Sequence, residues 1–232
     1  MNMHYSINIE VYPNGVVEAN APDLPGCSAY GSSEDECLFR MRLAVPDYFR
    51  WLSYQDSETP TMSSEVELSV AEKIADTTVN GTVATAFFST DAQPVSQDDI
   101  DWSVALSSYA LQDIGKQVQK QTDDILNWRP SPNEPSVNEL LDSLAQLDLQ
   151  LLSLMSANQR PGLESLPGPT FERLYSIHEE CLLLTHNSAP DIREKIIEVN
   201  GERWSLRKMI RRELAAFRST NEKIALTLAQ RV

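Results

Sequence analysis

Ser136-Val137-Asn138-Glu139-Leu140-Leu141-Asp142-Ser143-Leu144-Ala145-Gln146-Leu147-Asp148-Leu149-Gln150-Leu151-Leu152-Ser153-Leu154 decides how the second half of the chain folds. Ser136 and Glu139 form a capping box, in which the hydroxyl accepts from a free N–H and the carboxylate reaches back to the cap. Leu140, Leu141, Leu144, Leu147, Leu151, Leu152 and Leu154 then recur at helical spacing and make one apolar stripe. The same period appears on either side. Upstream, Asp98-Asp99 precedes Ile100, Val104, Leu106, Leu111, Ile114, Val118 and Ile125, and Trp128, Pro130 and Pro132 end the run. Downstream, Pro161, Gly162, Pro167, Gly168 and Pro169 mark a loop over 158–169. Thr170 opens a helix to about Thr185 with Leu174, Ile177, Cys181, Leu182 and Leu184 inside. Pro190–Val199 reads as a short helix, Asn200-Gly201 as a turn, and Ser205 as the cap of a long helix to about Ala229. Four amphipathic helices of this length predict an up-and-down four-helix bundle over 98–232.

Residues 1–97 have a different period. Ser6-Ile7-Asn8-Ile9-Glu10-Val11 alternates polar and apolar, as a half-buried strand does. Pro13-Asn14-Gly15 is a turn and Val16–Ala19 its partner strand; Cys27–Gly31 can form a third. Ser32 or Ser33 before Glu34, Asp35 and Glu36 starts a helix carrying Leu38, Met41, Val45, Tyr48, Phe49 and Leu52, with Pro46 expected to kink or end it near Val45. Residues 53–64 read as a loop, and Glu65–Ile74 and Val83–Phe88 as strands. The fold class is therefore α+β: a small antiparallel sheet with one helix, then the bundle.

The 232 residues carry 19 Lys+Arg against 34 Asp+Glu, a net charge of −15, which argues against a nucleic-acid binder. Residues 1–97 hold 4 basic and 14 acidic residues, whereas 191–232 reverse the balance with 10 against 6. No apolar run reaches a membrane span and the start lacks a signal peptide's features, so the expectation is a soluble, cytoplasmic chain without a membrane partner. Cys27, Cys37 and Cys181 form no Cys-x-x-Cys pair and read as small buried hydrophobes.

Few residues suggest chemistry. His4, His178 and His186 are the histidines, and none has a second histidine at i+3 or i+4. His178 has Cys181 three residues on, but a metal site needs further ligands, so the histidines read as surface or partly buried groups. Arg207, Lys208, Arg211 and Arg212 lie within two turns of the last helix. Internal ion pairing is the plain reading of them, and a patch for an anion or an acidic partner is the alternative.

Two resemblances add to this. Ala21-Pro22-Asp23-Leu24-Pro25-Gly26-Cys27, followed by Tyr30-Gly31-Ser32-Ser33-Glu34-Asp35-Glu36-Cys37, resembles the HicB-like domain, and the match runs over Ile7–Leu52. The HicB-like fold is a small antiparallel sheet against a helix. The DNA-binding module that HicB antitoxins usually add is not seen, so the resemblance does not imply an antitoxin. Asn200-Gly201-Glu202-Arg203-Trp204-Ser205-Leu206-Arg207-Lys208-Met209-Ile210-Arg211-Arg212 and Asp124-Ile125-Leu126-Asn127-Trp128-Arg129-Pro130 resemble the DinB-like four-helix bundle, over about 98–228. Many DinB-like proteins bind a divalent metal through one histidine on helix two and a His-x-x-x-His pair on helix four, and act as thiol-dependent transferases or isomerases. Here Ser143, Ala216 and Thr220 stand at those positions. Alanine offers no ligand and neutral hydroxyls are poor ones, so the expectation is no family metal and no cofactor. Glu139, Asp142 or Asp148 could rebuild a weaker oxygen site.

The sequence thus favours a non-catalytic binding or scaffold protein, with a HicB-like domain over 1–97 and a degenerate DinB-like bundle over 98–232. A second copy of the chain or an unidentified protein is the implied partner. The alternatives are a thiol- or metal-dependent transferase using a rebuilt pocket, and an antitoxin-like partner of a small basic protein.

Overall fold

The computed structural model describes residues 3–55, 66–75, 77–79, 82–155, 162–163 and 166–231. The loop expected over 53–64 falls largely outside them, as does most of the first half of the loop at 158–169. The architecture is α+β. The chain divides into two compact units: Met1–Pro94 with Glu194–Arg211, and Val95–Arg193 with Arg212–Val232. The boundary expected at 97/98 places Glu194–Arg211 in the bundle domain. That stretch belongs instead with the sheet, because its side chains find their partners among residues 85–91.

In the first unit, β1 (Met3–Val11), β2 (Val17–Asn20), β3 (Ser28–Gly31) and β4 (Val66–Ala75) form one sheet in the order β3-β2-β1-β4. β1 pairs antiparallel with β2 and parallel with β4, so the sheet is mixed rather than wholly antiparallel. The parallel pairing follows from α1 (Glu34–Gln55), the crossover between β3 and β4. Alternation assigns the two faces of β1. Ile7 and Ile9, fully buried, lie on one, and Tyr5, on the same face, meets Phe49 of α1. Each buried isoleucine contributes about 1.5–3 kcal/mol. Asn8 and Glu10 lie on the other and are also buried, because residues 85–91 cover them: Ala86 N–H donates to Glu10 Oε1 at 2.8 Å and Asn8 Nδ2 to Thr90 Oγ1 at 2.9 Å.

α1 does not stop at Pro46 but runs on to Gln55. The proline forfeits one helical hydrogen bond, yet Tyr48 and Leu52 beyond it continue the buried face begun by Cys37, Met41 and Val45. Its start is capped as the sequence predicts: Ser33 Oγ accepts from Glu36 N–H, and Glu36 Oε2 accepts from Ser32 N–H at 2.8 Å. Gly31 is required at the approach of β3 to α1, where a Cβ would lie 2.7 Å from the Cys37 nitrogen.

β5 (Thr78–Val79) and β6 (Thr82–Val83) make a small antiparallel pair. The strand expected over Val83–Phe88 ends at Val83, since the backbone from Thr85 on is bonded by side chains instead of a neighbouring strand.

The second unit holds α2 (Gln97–Val118), the short α3 (Asp123–Leu126), α4 (Val137–Met155), α5 (Thr170–His186) and most of α7 (Leu206–Ala229). The capping box of α4 forms, with Ser136 N–H donating to Glu139 at 2.8 Å. α2, α4, α5 and α7 bury one stripe each, led by Ile114, Leu141, Leu174 and Phe217. The helix expected over Pro190–Val199 is only α6 (Pro190–Glu194), followed by a hairpin of β7 (Ile197–Val199) and β8 (Glu202–Trp204). Asn200 and Gly201 both have positive φ, at 54° and 85°, as a two-residue hairpin turn needs. Among the described residues, no helix is long and apolar enough to cross a membrane.

Candidate functional site

Each long helix of the second unit contributes a buried polar residue to one layer of the core. In α2 it is Ser107, between Leu106 and Ala110; in α4 it is Asp148, between Leu144 and Leu151. α5 contributes His178, beside Ile177, and α7 contributes Glu213, beside Leu214. Ser107, Asp148 and His178 are 0% exposed and Glu213 is 6% exposed, so the four sit in a sealed layer.

The geometry is specific. His178 Nδ1 lies 2.7 Å from Asp148 Oδ2 and 3.5 Å from Glu213 Oε1. Its Nε2 lies 3.1 Å from Ser107 Oγ. The Phe217 ring lies against the imidazole at 4.3 Å between centroids. Asp148 Oδ1 and Glu213 Oε1 are buried without a hydrogen-bond partner.

Charge is unbalanced here. Burial disfavours the imidazolium, but the hydrogen bond and charge of Asp148, with the charges of Glu213 and Glu179, outweigh it and raise the His178 pKa. Burial raises Asp148 against the opposing pull of His178. Glu213 is pushed up to about 7, chiefly by burial, with repulsion from Asp148 added and attraction to His178 opposing. Two carboxylates face one nitrogen, so the shared proton belongs on Nδ1. One turn further on, Cys181 is held as the thiol by burial and by the charges of Glu213 and Asp148. Cys37, donating to the Ala29 carbonyl, is likewise raised to about 11 by burial.

Two chemistries fit this layer in principle. The order Asp148–His178–Ser107 is the order of a hydrolase relay, and Asp148, His178 and Glu213 offer three ligand atoms within 4.8 Å of one another. The first requires access to Ser107 Oγ, which burial denies.

The sequence-derived candidates lie elsewhere. Ser143 is on the exposed face of α4, and its hydroxyl donates to the Glu139 carbonyl at 2.8 Å. Ala216 is half-buried and Thr220 buried, and neither belongs to the polar layer. Of the oxygen donors considered, Asp148 alone faces the core; Glu139 and Asp142 pair with Arg129 and Arg173.

The four basic residues do not form a free patch. Lys208 is fully buried and donates to Glu202 at 2.8 Å and to the Thr85 and Arg203 carbonyls at 2.9 Å each, with its ammonium 4.4 Å from the Trp204 ring centroid. Arg211 grips both oxygens of Asp91 at 3.0 and 2.8 Å and donates to the Ala86 carbonyl. Arg207 donates to the Gln93 and Pro94 carbonyls, and Arg212 is engaged as well. Internal pairing, not a docking patch, is what these cations do.

His178, expected at the surface or partly buried, is fully buried, and no local motif marks Glu213, because no spacing within one helix joins either to Asp148. The available signal was weaker but present: a titratable residue in the middle of an apolar stripe on each of three helices. No family model, curated protein or solved structure matches the chain.

Proposed function

We propose that the chain is a non-catalytic binding or scaffold protein, a HicB-like sheet unit joined to a DinB-like bundle whose family metal ligands have been replaced. The observation that carries this reading is the sealing of the polar layer. A nucleophilic serine must present Oγ to a substrate carbonyl next to oxyanion donors, and Ser107, His178 and Asp148 are all 0% exposed. The replacement of the family's ligands by Ser143, Ala216 and Thr220 supports it further. The outward face of α1 carries Phe39, Leu43 and Tyr54, the last 79% exposed. Apolar side chains of this size on one helix face suit a protein partner, a second copy of the chain or another protein.

The test is labelling with a fluorophosphonate, which reacts with activated serines. The wild-type protein should stay unlabelled under native conditions. Stoichiometric labelling that disappears in Ser107→Ala would make the layer a working hydrolase site and overturn the reading.

A further inference from the structure

We propose that Asp148, His178 Nδ1 and Glu213 form a structural site for one divalent first-row transition cation of the zinc or manganese kind. The inference stands independently of the non-catalytic reading, and it uses none of Ser143, Ala216 and Thr220.

Charge is the first argument. Two carboxylates and one imidazole share a core that excludes water. A proton on the ring balances one carboxylate, and the second must be neutralised at a cost or compensated by a cation. A divalent cation balances both while leaving the ring neutral.

The hydrogen bonds are the second. Ser107 Oγ lies 3.1 Å from His178 Nε2, within hydrogen-bond reach. With an ion on Nδ1 in place of the proton, the ring carries its hydrogen on Nε2 and Ser107 Oγ accepts it across that distance. The ring's other nitrogen then presents its lone pair to the carboxylates, the tautomer a metal ligand requires. Ser107 thereby plays the part of the outer partner that orients a ligating histidine.

The third argument is what is left over. Asp148 Oδ1 and Glu213 Oε1 have no hydrogen-bond partner although both residues are buried. Buried acceptors rarely go unpaired, and each carries a cost. Both belong to the cluster whose ligand atoms lie within 4.8 Å of one another. Two bonds of about 2.1 Å at a tetrahedral angle put ligand atoms about 3.4 Å apart, a spacing the set reaches by carboxylate rotation. The imidazole favours a transition cation over calcium or magnesium, which take oxygen ligands. Burial on all sides is the mark of a structural rather than a catalytic site.

The experiment uses the full chain, stripped with EDTA, dialysed, and titrated with zinc chloride and manganese chloride by calorimetry and by thermal melting. The expected result is one ion per chain with a saturable rise in melting temperature. Glu213→Gln keeps size and removes the ligand charge, and should weaken binding at least 10-fold; Asp148→Asn serves as the second variant, and circular dichroism checks that each is folded. His186→Ala removes the exposed histidine that faces Asp101 at 3.3 Å and should leave affinity unchanged. Absence of saturable binding, full affinity retained in folded Glu213→Gln, or binding lost in His186→Ala would each overturn the proposal. Fluorophosphonate labelling reports on the non-catalytic reading separately, so either can fail alone.

Discussion

α7 contributes to two buried ionic clusters within a few residues, and they are built on opposite plans. In the first unit, Lys208 and Arg211 face Glu202 and Asp91, two cations against two anions. Lys208 finds an acceptor for each of its three donors, and Arg211 meets Asp91 through two hydrogen bonds. In the second unit, Glu213 joins Asp148 around a single imidazole, and one oxygen of each acid lacks a hydrogen-bond partner. The first cluster is balanced in charge, with only Arg211 Nη1 among its donors left without a partner. The unbalanced one has the composition of a site, with a deficit of positive charge and ligand atoms to spare.

The sharpest way to break the contrast is to cut both clusters. Lys208→Met keeps the apolar stem but strands Glu202 and two carbonyls, and should cost about 3–5 kcal/mol in urea unfolding. Glu213→Gln, measured in EDTA, should have the opposite sign: removing the surplus carboxylate should stabilise the metal-free protein by about 1–2 kcal/mol. If both variants lose stability equally, the clusters are not different in kind.

Acid titration sharpens the comparison further. Burial alone would raise Glu202, but hydrogen bonds from Lys208 and Thr85, with the lysine's charge, hold it below the ordinary 4.5. A depressed carboxyl pKa means stability that is present above about 4.5 and disappears as pH falls through the folded value. Melting temperature should therefore drop on acidification below that point, and drop less steeply in Lys208→Met. The smallest effect belongs to exposed pairs. Arg50 and Asp47 lie 2.5 Å apart with side chains 63% and 59% exposed, and Arg50→Ala should change stability by less than about 0.5 kcal/mol.

Much of this architecture was legible from local chemistry. The Ser136/Glu139 box, the Ser33 start of α1 and the alternation of β1 are short-range signals, and each forms as written. What escaped depends on distant partners. Pro46 does not end α1, because Tyr48 and Leu52 keep the buried face going. Val83–Phe88 has strand composition, but its backbone is claimed by Glu10, Lys208 and Arg211 from elsewhere in the sequence. β7 falls inside the stretch expected to be a short helix, although Asn200-Gly201 carries the hairpin signature. The site was half visible. Asp148 could be named as a spare oxygen donor, but only the packing of α4, α5 and α7 brings it to His178 and Glu213. The resemblance marks Ser143 as a replaced ligand, and that residue lies on the exposed face of the same helix.

The central claim, that the unbalanced cluster is a cation site, is tested most directly by anomalous diffraction at the zinc edge from crystals of the zinc-loaded full chain. The account predicts one peak, bonded to His178 Nδ1 at about 2.0–2.1 Å and flanked by Asp148 and Glu213. No peak in the bundle core, or zinc found only beside the exposed His186, would contradict it.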